Sequence, residues 1–164
     1  MKKFVIAVYV EHQPGVMTRV TSLFTRRGFN IDSVTSGITE NPNYSRITIG
    51  LHGDEFLKTQ IVEQLKKLHN VKKVTVLEDE ATKRELMLIK VKHTSGTRTE
   101  IMTAVDVFRA KVVDYSPNEM CVELTGDSSK MDAFVALMEP FGIMEMCRTG
   151  IVALDRGSMT LLNK

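Results

Sequence analysis

The sequence predicts an α+β chain in which a β-α-β-β-α-β unit occurs twice in tandem. Three observations carry this. Apolar residues at every second position, as in Phe4, Ile6, Val8 and Val10 or Met87, Ile89 and Val91, mark strands. Apolar residues at helical spacing, such as Val16, Val20, Leu23 and Phe24, separate them. The order of the two patterns then repeats after a short polar stretch at residues 78–83. Each unit is the ferredoxin-like arrangement: a four-stranded antiparallel sheet with two helices on one face.

In chain order, the first strand covers Phe4 to Val10 and the first helix starts at Val16. Arg26 and Arg27 close that helix and Gly28 stops it. The Arg pair reads as a solvated end that complements the helix dipole, rather than as a phosphate clamp. Asn30 to Thr39 is β-branched and Ser/Thr-rich and forms a second strand, which Glu40-Asn41-Pro42-Asn43 turns into a third around Ile47, Ile49 and Leu51. Gly53-Asp54 supplies a stop and an N-cap for a second helix along Leu57, Ile61, Leu65 and Leu68. Val71, Val74 and Val76 complete the unit.

The second pass begins with Met87, Ile89 and Val91. Thr97-x-x-Glu100 reads as a capping box before Ile101, Val105 and Phe108. Lys111 to Tyr115 and Met120 to Leu124 are strands joined at Ser116-Pro117-Asn118. Met131, Phe134, Val135 and Met138 line a helix that Pro140 ends, and Ile143 to Cys147 is the last strand. The boundaries expected are 1–78 for the first domain, 79–84 for a linker and 85–164 for the second. The far face of each sheet is left open in this scheme, as are its edge strands, which predicts association. The ten methionines serve as core and interface filler.

Composition excludes several classes. At 43% apolar and 26% charged, the 164 residues suit an ordinary globular protein. The net charge of +2 suggests no polyanion partner. Cut after residue 80, the halves carry 11 and 11 basic residues against 9 and 11 acidic ones, so neither is a basic arm. Aromatics are 6% and alternate with basic residues in no strand, which argues against a nucleic-acid-binding sheet. No apolar run approaches the roughly 20 residues of a membrane span. The apolar run after Met1-Lys2-Lys3 meets Glu11 and His12 too soon for a signal peptide, and a cytoplasmic location is expected. Cys121 and Cys147 read as buried free thiols. His12, His52, His69 and His93 are scattered, with no metal-ligand spacing. Without a phosphate loop or a nucleophile elbow, no catalytic residue, metal site or cofactor is expected in this chain.

One stretch remains. Val10-Glu11-His12-Gln13-Pro14-Gly15-Val16 joins a strand to a helix. Pro14 suits the first helical turn, and Gly15 has no Cβ to keep another group away. A helix start of this kind offers free N–H groups and the positive end of the dipole to an anion such as a carboxylate. The residues alone equally fit a tight strand-to-helix turn with nothing bound. Asn30, read alone, equally fits a turn residue that satisfies its own backbone.

The residues also carry a family resemblance. Glu11-His12-Gln13-Pro14-Gly15-Val16-Met17, Arg19-Val20, Leu23-Phe24 and the stretch 26–33 resemble the start of the small, regulatory subunit of acetolactate synthase (acetohydroxyacid synthase), whose first unit is an ACT domain. The resemblance continues at 51–54, 108–114, 124–126, 130–134 and 148–157. It implies a non-catalytic chain that activates a separate large subunit, which uses thiamine diphosphate, Mg and FAD, and makes it sensitive to feedback inhibition by valine or another branched-chain amino acid. It further implies ACT domains paired side by side, in a homodimer or higher, with the amino acid at their interface. Gly15, Val16 and Asn30 match the family's ligand positions, and Val34 is an apolar neighbour for the effector's side chain. Where the family usually has Asn after the Glu, this chain has His12, a hydrogen-bonding side chain whose charge changes near neutral pH. Ser36-Gly37 stands where a more apolar pair is expected. The alternative is a stand-alone ACT-type sensor acting on another enzyme or transporter.

Overall fold

The structure is a computed structural model and describes residues 2–164. Contacts divide the chain into two units, residues 1–82 with 151–164, and residues 83–150.

In the first unit, β1 (Lys2–Glu11) leads to α1 (Val16–Arg26), β2 (Ser33–Ile38), β3 (Tyr44–Gly53), α2 (Glu55–Lys66) and β4 (Val71–Val76). The strands lie in the order β2-β3-β1-β4, all pairs antiparallel. This is the predicted ferredoxin-like unit. β1 is central, and every residue from Phe4 to Val10 is buried, because both its faces are covered. On the helix side Ile6, Val8, Val10, Ile47, Ile49 and Leu51 pack against Val20, Phe24, Ile61 and Leu65. Asp54 caps α2 as expected, its side chain accepting from the Leu57 N–H at 2.7 Å.

The far face of this sheet departs from expectation. It is not open: Val5, Ala7, Tyr9, Leu77 and Ala81 share a second core with Ile151, Ala153 and Leu161 from the end of the chain. The expected second domain ran to residue 164, but 151–164 belong with the first unit. The physical reason is alternation. Val5, Ala7 and Tyr9 point away from the helices and need apolar cover, which the tail provides. Polar ties hold it there: Lys164 Nζ lies 2.9 Å from Glu78 and the Arg156 Nε donates to the Glu80 carbonyl at 2.6 Å. Within the tail, β9 (Val152–Leu154) is the last strand.

The second unit runs β5 (Thr82–Lys92), α3 (Arg98–Val107), β6 (Lys111–Tyr115), β7 (Glu119–Gly126), α4 (Ser128–Met138) and β8 (Ile143–Arg148), with strand order β6-β7-β5-β8. β5 begins inside the expected linker. Met87, Ile89, Met120, Met131, Phe134 and Met138 fill the core. Asp127 caps α4 by accepting from the Lys130 N–H at 2.9 Å. The predicted capping box at α3 does not form. Thr97 takes helical angles, and its Oγ1 accepts from the Thr94 N–H at 2.9 Å instead. Cys121 and Cys147 are free but not buried: Cys121 is half-buried and Cys147 exposed. Cys147 pairs with Leu88 and so points away from the helices, as Leu88 does.

The units repeat even in their irregularities. Each has a register shift on the strand pair β1–β4 or β5–β8, between Tyr9 and Val10 or between Lys90 and Val91. Each then has a His N–H, of His12 or His93, donating at 2.8 Å to an Asn carbonyl, of Asn43 or Asn118.

Candidate functional site

β1 delivers the chain to Glu11 at one end of the first sheet, and the base of the following loop is well anchored. Glu11 lies 2.5 Å from Lys72 Nζ and accepts from the Asn70 amide at 2.8 Å. Asn70 is buried and accepts in turn from the Arg19 guanidinium. These hydrogen bonds, from Lys72 first and then Asn70, hold the Glu11 carboxyl below the usual glutamate range. The backbone closes with the Glu11 N–H on the Asn70 carbonyl at 2.9 Å. The exposed His12 places Nδ1 2.8 Å from Oγ of the buried Ser45 on β3.

Gly15 is the N-cap of α1, with φ 83° and ψ −8°, in the left-handed region that glycine adopts freely. Pro14 therefore precedes the cap and is not in the first turn. A Cβ at Gly15 would meet nothing within 4 Å, so the space beside it is open. Unlike α2 and α4, α1 has no side-chain cap, and unlike α2 it has no acid in its first turn. The amides of Met17 and Thr18, at the second and third helical positions, have no intrahelical acceptor. They are donors available to an anion. Val16 is 5% exposed and belongs to the core, so its backbone rather than its side chain faces this space.

Asn30 and Val34 lie elsewhere in the unit. α1 runs 11 residues, about 16 Å, away from Gly15 before the chain turns. Asn30 follows in the connection to β2, where the Asp32 N–H donates to the Gly50 carbonyl and Ser33 pairs with Gly50. Gly50 pairs with Val5, toward the start of β1, whereas the Gly15 loop follows the end of β1. Gly15 and Asn30 of one chain thus stand at opposite ends of the same helix. His12, Gly15 and Val16 come together; Asn30 does not join them within one protomer. Val34 is on β2, 40% exposed. β2 is an edge strand, and Val34, Ser36, Gly37 and Ile38 are all exposed on it. α1 crosses over β3 to connect β1 with β2, so it flanks this edge.

Among the described residues, no group of three or more His, Cys, Asp or Glu could hold a metal, and no helix is long and apolar enough to cross a membrane. Sequence reasoning missed Arg19 and Asn70, which brace the loop from α1 and from the start of β4. Arg19 lies within the stretch that carries the family resemblance, but its pairing with Asn70 is set by long-range packing.

The fold and the glycine-led helix start define a tandem ferredoxin-like protein whose first unit is an ACT domain; residues 6–73 match the model for an AHAS small subunit-like ACT domain. Residues 84–157 match the model for the small subunit of acetolactate synthase. The chain is 50% identical over 159 residues to a probable acetolactate synthase small subunit of Methanothermobacter thermautotrophicus, covering 96% of this chain and 95% of that one. It is 45% identical over 157 residues to the acetolactate synthase small subunit of Mycobacterium bovis, covering 95% and 94%. The crystal structure of the small subunit from Thermotoga maritima superposes with a TM-score of 0.88 at 39% identity, over 97% of this chain and 100% of that one. The chain belongs to the acetolactate synthase small-subunit family. In that enzyme the small subunit is the regulatory component, and catalysis belongs to the large one.

Proposed function

We propose that this chain activates a thiamine-diphosphate-dependent acetolactate synthase large subunit in the cytoplasm and makes it sensitive to feedback inhibition by a branched-chain amino acid, valine foremost. Thiamine diphosphate, Mg and FAD then belong to the large subunit. The effector binds between two protomers. Its carboxylate takes the free amides at the α1 start beside Gly15 and Val16, with His12 at the rim. Asn30 and Val34 of the partner copy complete the site.

The observation that carries this reading is the separation of Gly15 and Asn30 by the whole of α1. One protomer does not bring both to one ligand. A two-fold axis beside β2 does, since it sets the α1 start of each copy against the α1 end of the other and makes two equivalent sites. The exposed β2 edge, with Val34 and Ile38 outward, supports the pairing. The stand-alone sensor is disfavoured because both halves of the chain match the same family.

The test is an acetolactate assay of the cognate large subunit with and without this chain, across valine, leucine and isoleucine. Higher activity with the chain, reduced by one of the three, supports the proposal. An unchanged rate under all conditions contradicts it.

A further inference from the structure

The loop that leads into α1 carries one imidazole, and the structure fixes its position without fixing its charge. His12 stands three residues before Gly15. Its Nδ1 lies 2.8 Å from Oγ of Ser45, which is buried. Ser45 pairs with Val10, a residue of the helix-side core, and with Ile38 on the β2 edge. Side chains directly opposite each other share a face. The imidazole is therefore held on the helix face of the sheet, at the end where α1 starts. A hydroxyl serves both states of the ring. It donates to the bare Nδ1 of a neutral imidazole and accepts from the Nδ1–H of an imidazolium. The ring is exposed, and Nε2 has no partner among the described residues.

The neighbouring charges are engaged elsewhere. Glu11 on β1 is taken by Lys72 on β4 and by Asn70, which hold its carboxyl low and ionised at neutral pH. From α1, Arg19 donates to Asn70 and lies 3.4 Å from both ring nitrogens of His69. From β3, Tyr44 stacks on Tyr9. Among the described residues no carboxylate reaches the His12 ring within ion-pair distance. An arriving carboxylate supplies that missing counter-charge.

We propose that His12 makes effector binding proton-linked. Its imidazolium donates from Nε2 to the carboxylate held at the α1 start, so the amino acid binds more tightly, and inhibits more strongly, as pH falls from about 8 to about 5. This rests on the effector lying at the α1 start. Linkage is reciprocal, so binding also draws a proton onto the ring.

Calorimetric titration of the full chain with L-valine tests this, at steps between about pH 5 and 8 and in buffers of different ionisation enthalpy. It reads affinity and proton uptake together. Wild type gains roughly three- to tenfold in affinity toward the acid end, the difference between a charged and a neutral hydrogen bond, and takes up a fraction of a proton per valine near neutral pH. His12→Gln keeps a donor but shows a flat profile and no uptake. His12→Lys keeps the cation and holds the wild-type acid-end affinity throughout. The other imidazoles of the first unit are His69 and His52, which lies 2.6 Å from Asp32. His69→Gln and His52→Gln leave the wild-type profile in place. A flat wild-type profile, or the same slope and uptake in His12→Gln, overturns the inference; if Gly15→Asp still abolishes binding, the effector reading survives it. If Gly15→Asp binds as wild type does while His12→Gln flattens the profile, this inference stands and the carboxylate does not sit on the α1 amides. No binding of L-valine, L-leucine or L-isoleucine at any pH overturns both.

Discussion

At Gly15 the backbone angle and the open space make separate demands. The φ of 83° disfavours any side chain, yet nothing lies within 4 Å to clash with one. Gly15→Ala should therefore cost about 1–2 kcal/mol from the left-handed backbone alone, read as a lower urea midpoint with an unchanged slope. Gly15→Asp adds a charge. Aspartate is among the residues that tolerate this conformation best, so the variant should fold and still activate the large subunit. Its carboxylate repels the effector's and competes for the same amides. Losing one charge-assisted bond is worth about 1.5–3 kcal/mol, so the valine needed for half-inhibition should rise roughly ten- to a hundred-fold. Unaltered sensitivity in a folded Gly15→Asp would place the effector elsewhere. Glu11 carries a pH prediction. Its carboxyl is held low by Lys72 and Asn70. The stability from this pairing is present above the unfolded-state pKa and is lost as pH falls through the lowered folded value. The protection of the Glu11 and His12 amides against exchange, relative to their intrinsic rates, should fall in that acid window, and Lys72→Met should make the fall smaller, since only the Asn70 bond then remains.

Among the elements, the C-terminal tail has the largest unrecognised structural role. Leu161 is 7% exposed against the far face of the first sheet. Leu161→Ala should destabilise the first unit by about 2–5 kcal/mol, the range for such truncations, read from thermal or urea unfolding. Unchanged stability would mean the tail is not packed as described. Asp127→Ala should cost about 1 kcal/mol through the lost cap of α4. These elements also show what the sequence could and could not disclose. Strand β1 was legible as a short apolar run, β3 and β5 from apolar residues at every second position, and α1 because its apolar stripe is clean. The tail was not. Ile151, Ala153 and Leu161 follow no period over a useful window, and what they cover is set by long-range packing. Thr97 shows the same limit at short range: its spacing to Glu100 fits a capping box, but a competing turn with Thr94 takes its hydroxyl. Cys147 read as buried because its segment is apolar, yet β8 is an edge strand. At the candidate site, the Gly15 loop was legible from residue types. The distance to Asn30 was not, since it depends on the path of α1.

For the whole molecule, the separation of Gly15 and Asn30 makes assembly part of effector binding. Light scattering should show at least a dimer at micromolar concentration, and Val34→Asp on the β2 edge should shift it toward monomer and lower valine sensitivity together. A monomeric wild type with full sensitivity would be incompatible with a shared site. The sharpest measurement is subunit mixing. Gly15→Asp and Asn30→Ala chains are denatured together, refolded and added to the large subunit, and valine inhibition is compared with that of each variant alone. In a mixed dimer, one site receives both substitutions and the other receives Asn30 from the first chain and Gly15 from the second. Mixing should restore the valine sensitivity that is weakened in each variant alone. No restoration, with mixed dimers verified by mass spectrometry, would place Gly15 and Asn30 of one chain at the same ligand, or one of them at none, and would contradict it.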